Sequence, residues 1–78
     1  MSDTTLDTLA PGARGRITGF VVDDAFSQRL MQLGLIEDTE VQVLRRAPTG
    51  DPIEVEVMGY ALSLRRAEAA TVRILLLG

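Results

Sequence analysis

Between Val41 and Val57 apolar residues return at every second position: Val41 and Val43 flank Gln42, and Ile53, Val55 and Val57 flank Glu54 and Glu56. A period of two puts one row of side chains against a core and the other in water, which defines a strand and does not suit a helix. The two runs are separated by Pro48-Thr49-Gly50-Asp51-Pro52, a cluster of turn formers whose prolines withhold backbone donors from any neighbouring ladder. The segment therefore reads as a β-hairpin. Equal face parity sets Val41 and Val43 inward, opposite Val55 and Val57, with Arg46 and Glu54 as an outer cross-strand pair. Arg45 shares the inward parity and is expected beyond the buried part of its strand.

The rest of the chain repeats this grammar. Gly12 to Val22 follows a Pro11-Gly12 turn signal and reads as a first strand, in which Gly15 and Gly19 mark a bulge or sharp bend. From Asp23 the period changes, with Phe26, Leu30 and Leu33 along one side of a helix of roughly three turns at about 3.6 residues each. Asp23 or Asp24 caps its start without a full capping box, and Gly34 suits a left-handed stop. Gly59 ends the second hairpin strand. Tyr60, Leu62 and Leu64 make another short strand, Arg65 to Ala70 resembles a helical turn, and Val72 to Leu77 is apolar on both faces and expected to be buried on both sides. The pattern is mainly β: five short strands, one short α-helix after the first strand and a helical turn before the last. Closure into a small barrel is expected, because it removes the edges that short strands would present. Residues 1–8 read as an N-terminal tail and 9–78 as the domain.

Composition excludes several kinds of chemistry. The chain has 78 residues, 46% of them hydrophobic, which fits one packed domain. It contains no cysteine, histidine or lysine, so a nucleophile would lack its usual base, and a borderline metal would lack its preferred ligands. Glu54 and Glu56 share the outer face of a strand and read as a solvated row. No catalytic residue, metal ligand or cofactor-binding residue is expected. Eleven acids outnumber eight arginines for a net charge of -3, which disfavours nucleic acid. Met1 to Leu9 is polar and acidic, unlike a secretory signal, and the longest apolar run, Ile74 to Leu77, falls far short of the ~20 residues a membrane helix needs. A cytoplasmic protein is expected.

What remains is contact chemistry. With Phe26, Leu30 and Leu33 facing the core, the helix wheel puts Met31 on the opposite side, and Leu35 extends that apolar patch if the turn exposes it. Arg65-Arg66 and Arg45-Arg46 are the cationic clusters. Met31 and Leu35 are expected to contact a partner protein, with Arg65 and Arg66 as a second contact to acidic groups.

The order of segments resembles the FeoA-like domains of bacterial ferrous iron transport. The resemblance runs from about Leu9 to Leu77, and four pieces carry it. They are Leu9-Ala10-Pro11-Gly12, Gln28 through Leu35, Ala47 through Ile53, and Gly59 through Arg66 ahead of Ala69. The resemblance implies an SH3-like barrel, a cytoplasmic location and association with FeoB, a membrane GTPase and transporter. The chain would then reach the membrane through that partner alone, as a monomer or weak homo-oligomer. The family's transition-metal language finds no ligand set here. After the helix, relatives usually carry Pro-Gly where this chain has Glu37-Asp38. The same domain ends DtxR-type iron-dependent repressors, so a stand-alone relative regulating through protein contacts is the alternative. Such a repressor would need a helix-turn-helix that these 78 residues do not hold.

Overall fold

The computed structural model describes residues 3–22 and 24–77. Among these residues six strands form one antiparallel sheet. They are β1 (Asp3–Thr5), β2 (Arg14–Phe20), β3 (Glu40–Arg46), β4 (Ile53–Val57), β5 (Tyr60–Leu64) and β6 (Val72–Leu77), in the order β1-β6-β2-β3-β4-β5. Helix α1 (Ala25–Gln32) lies between β2 and β3, and the short α2 (Arg66–Ala69) between β5 and β6. The sheet is not closed, in contrast to the expected barrel: β1 and β5 are its two edges.

The sixth strand comes from the expected tail. Asp3, Thr4 and Thr5 pair with Leu75, Ile74 and Arg73 of β6, and a 3-10 turn at Leu6–Thr8 then buries Leu6 completely. Polar side chains hid this strand, because an edge needs backbone pairing more than apolar burial, and Leu6 alone supplies the anchor.

The valine register of the hairpin is as expected, with Val41 opposite Val57 and Val43 opposite Val55, all four buried. The outer pair is shifted. A bulge at Leu44 adds one residue to β3, so that Arg45 faces Glu54 and Arg46 faces Ile53. One extra residue inverts the parity of everything beyond it. Arg45 therefore points outward and pairs with Glu54 at 2.8 Å, while Arg46 turns back to donate to the Leu9 carbonyl at 3.0 Å. A second register shift, between Ile17 and Gly19 of β2, falls within the stretch that the glycines marked.

Helix α1 is shorter than expected at 8 residues, and its cap is more complete. Asp24 accepts from the N–H groups of Phe26 and Ser27, and the Ser27 hydroxyl accepts from the Asp24 N–H at 3.1 Å, a reciprocal capping box. The alternative cap, Asp23, lies outside the described residues. Because Ser27 satisfies its hydroxyl locally it can be buried, and the inward face runs through Ser27 and Leu30. Phe26, expected in the core, lies in the first turn and is 37% exposed. The helix ends in a Schellman motif, with Leu35 N–H bonded to the Leu30 carbonyl and Gly34 N–H to that of Met31.

Ala69 at the end of α2 is in the core, and its neighbour Glu68 is nearly buried. The Glu68 carboxylate accepts from the Arg65 N–H at 2.8 Å and forms an ion pair with Arg29, which ties α2 to α1. No sequence pattern marks Glu68 for this role. Glu68→Ala should cost about 1–2 kcal/mol, since a charge-assisted bond and a helix cap are lost together while Arg29 stays hydrated. Urea melts check this, and an unchanged midpoint would show the pair to be dispensable.

Strand β6 is buried less evenly than its sequence implies. Val72 and Ile74 are in the core, while Arg73 and Leu76 are exposed. An open sheet leaves its outer face to solvent, so alternation is restored on this strand.

Candidate functional site

Leu35 is fully buried and cannot take part in the expected contact patch. In a Schellman motif the residue after the left-handed glycine packs on the residue three before the cap, here Leu30, itself fully buried. The glycine stop thus carried the signal that Leu35 turns inward. Met31 is half-buried, because it follows Ser27 by one helical turn along the buried flank of α1. Arg65 and Arg66 are exposed. The structure therefore does not bring the four residues together as one surface.

Other residues occupy the exposed positions. Strands β4 and β5 are joined by a two-residue turn in which Met58 (φ 52) and Gly59 (φ 83) both have positive φ, the backbone of a type I′ turn. Met58 is 58% exposed and Tyr60 45% exposed. The Tyr60 hydroxyl donates to the Leu33 carbonyl at the end of α1, which pins the β4–β5 turn against the helix terminus. Tyr60 and Phe26 both reach solvent, while Phe20 packs partly buried against the core.

Across the sheet, the β3–β4 loop and β5 enclose a shallow groove of about 430 Å³, lined by Arg45, Arg46, Ala47, Pro48, Pro52, Glu54 and Ser63. Of the eight arginines, Arg14, Arg29 and Arg45 form ion pairs with Glu40, Glu68 and Glu54. Among the described residues Arg65 and Arg66 have no carboxylate partner for their guanidinium groups. Two carboxylates meet their backbone instead: Asp51 accepts from the Arg66 N–H at 3.0 Å and Glu68 from the Arg65 N–H at 2.8 Å. The end of β5 thus presents two guanidinium groups that form no ion pair among the described residues.

Among the described residues no group of three or more acidic side chains is placed to hold a metal ion. No helix among the described residues is long and apolar enough to cross a membrane. In the turn after α1, Asp38 adopts φ 72, a left-handed conformation that glycine adopts most readily. Aspartate is one of the few other residues that tolerates it.

An open antiparallel sheet of short strands with a short helix packed on it is the architecture of a small SH3-like domain. The family model for the FeoA domain matches residues 4–75, and the chain belongs to the FeoA family. A FeoA-like protein from Clostridium acetobutylicum has the same fold, with a TM-score of 0.92 at 28% identity over 100% of this chain and 91% of that one. FeoA of Stenotrophomonas maltophilia, described as a prokaryotic SH3 domain protein and solved in complex with zinc, aligns with a TM-score of 0.79 at 28% identity, covering 91% of this chain and 88% of its own. A Porphyromonas gingivalis protein, in which Fe(2+) transport protein A is fused to the Fe(2+) transporter FeoB, is 33% identical over 49 residues. That match spans 63% of this chain and 6% of the fusion protein. A manganese-dependent transcriptional repressor shares the fold, with a TM-score of 0.88 at 19% identity over 99% of this chain and 38% of the repressor.

Proposed function

We propose that this protein is a non-enzymatic accessory of bacterial ferrous iron transport, acting in the cytoplasm by binding the cytosolic part of a FeoB-type transporter. The observation that carries this reading is the Porphyromonas gingivalis fusion. Joining two modules in one chain raises their effective concentration for each other to about the millimolar range when the linker is short. Such a fusion is of use where the separate proteins must meet. Family membership and the absence of histidine, cysteine and lysine support a role through contact instead of catalysis. The net charge of -3 favours a protein partner over nucleic acid. The chain would work as a monomer or weak homo-oligomer.

Deleting the gene should lower ferrous iron uptake in cells whose transporter is intact, and the purified protein should retain the transporter's cytosolic domain in a pull-down. Normal uptake in the deletion strain, with no retention of that domain, would refute the proposal.

A further inference from the structure

Strand β5 is an edge without the usual protection. Tyr60-Ala61-Leu62-Ser63-Leu64 pairs with β4 on one side in unbroken register, and among the described residues no strand pairs with its other side. It carries no charge, proline or bulge, the features that ordinarily guard such an edge against strand addition. The opposite edge, β1, has three residues and begins with Asp3.

The turn geometry decides which groups of β5 are free. A two-residue turn is closed by a hydrogen-bonded pair, here Val57 and Tyr60, and such pairs alternate along an antiparallel ladder. The pairs Val55–Leu62 and Ile53–Leu64 are then the bonded ones. Ala61 and Ser63 therefore direct their N–H and C=O groups outward, away from β4.

We infer that this edge binds an extended segment of a partner protein as an added antiparallel strand, with apolar residues beside Leu62 and Leu64 and acidic residues beside Ser63 and Arg65. The inference takes from the proposed function the premise that the chain acts by protein contact. Face parity sets the alternation. Leu62 and Leu64 lie on the core face, where Leu62 is half-buried and can be covered further. Ser63 lies on the outer face beside the groove lined by Arg45 and Arg46. Arg65 and Arg66 follow at the strand's end, so the acidic residues belong in the N-terminal half of an antiparallel segment. Beside Ala61 the cross-strand neighbour is the exposed Glu56, which calls for a neutral residue there.

Charge also separates this occupant from a second copy of the chain. A two-fold pairing of β5 with itself, centred on Leu62, sets Arg65 beside the Met58-Gly59 turn of the other copy, which offers no acid. A foreign acidic strand satisfies both the backbone edge and the arginines.

The probe is the peptide acetyl-Glu-Val-Glu-Val-Thr-Val-amide, titrated into the labelled protein and followed by amide chemical shift and hydrogen exchange. The amides of Ala61, Ser63, Arg65 and Arg66 should move, with a Kd on the order of 1 mM, and exchange at Ala61 and Ser63 should slow. Replacing the peptide's glutamates by lysine should weaken binding about tenfold. Ser63→Pro, at an N–H that points away from the β4 ladder, should abolish binding. Should that variant fail to fold, the doubly substituted Arg65→Glu, Arg66→Glu protein should reverse the preference between the two peptides. The inference is overturned if the Ala61 and Ser63 amides stay unmoved at several times 1 mM peptide, if both peptides bind equally, or if Ser63→Pro instead abolishes a dimer seen by sedimentation. A transporter domain that binds wild type and Ser63→Pro equally removes the edge and leaves the proposed function standing. A transporter domain that binds neither removes that function, and the peptide titration still decides the edge.

Discussion

Leu30→Ala should lower the stability of this domain by about 3 kcal/mol. Leu30 is fully buried at the centre of the inward face of α1, and truncation loses its transfer energy and leaves a cavity. The neighbours cannot close that cavity freely. Leu35 is held by its N–H bond to the Leu30 carbonyl, and Ser27 by the capping box. A domain of 78 residues has a total stability of roughly 4–12 kcal/mol, so the loss is a large part of the whole. Urea denaturation of the two proteins measures it. A difference below about 1 kcal/mol would mean that the α1 face repacks and that the helix is not anchored as described.

Gly34→Ala should cost a similar amount, about 2–3 kcal/mol, for a different reason. Gly34 has φ 106, and a Cβ there would stand 2.7 Å from the Tyr60 hydroxyl oxygen. Strained backbone of this kind costs about 1–3 kcal/mol in a residue with a side chain, and the clash adds to it. The tyrosine must give way, which breaks its hydrogen bond to the Leu33 carbonyl and frees the Met58-Gly59 turn. The double variant Gly34→Ala, Tyr60→Phe separates the two effects, since without the hydroxyl only the backbone strain remains. If Gly34→Ala melts at the wild-type temperature, the Schellman end of α1 tolerates a side chain and the link from helix to hairpin is not structural.

The candidate site was less legible than the fold. The family resemblance was readable over Leu9 to Leu77, and the matched domain extends from residue 4. Arg65 and Arg66 were found as a pair because two adjacent charges after a strand are visible in any reading. That they lack carboxylate partners depends on where Asp51, Glu54 and Glu68 go, which is set by the β3–β4 loop and by α2. Leu35 joins the contact patch only if the turn exposes it, and the turn buries it instead. Once Gly34 reverses the chain, the period of 3.6 no longer says which way the next side chain points. Edge status is harder still, since Tyr60 to Leu64 reads the same whether or not another strand lies beside it.

By itself the sequence determined the strands β2 to β6, the place of both helices and the facing of Val41, Val43, Val55 and Val57. All of these depend on side-chain period and on local turn chemistry, which act over a few residues and leave a mark at each one. Tertiary structure alone decided four things: the open sheet, the pairing of Asp3–Thr5 with β6, the exchange of Arg45 and Arg46 at the Leu44 bulge, and the ion pair between Arg29 and Glu68. Each depends on segments far apart in the chain meeting in a particular register. A shift of one residue reverses which side chains are buried, and no local pattern records it.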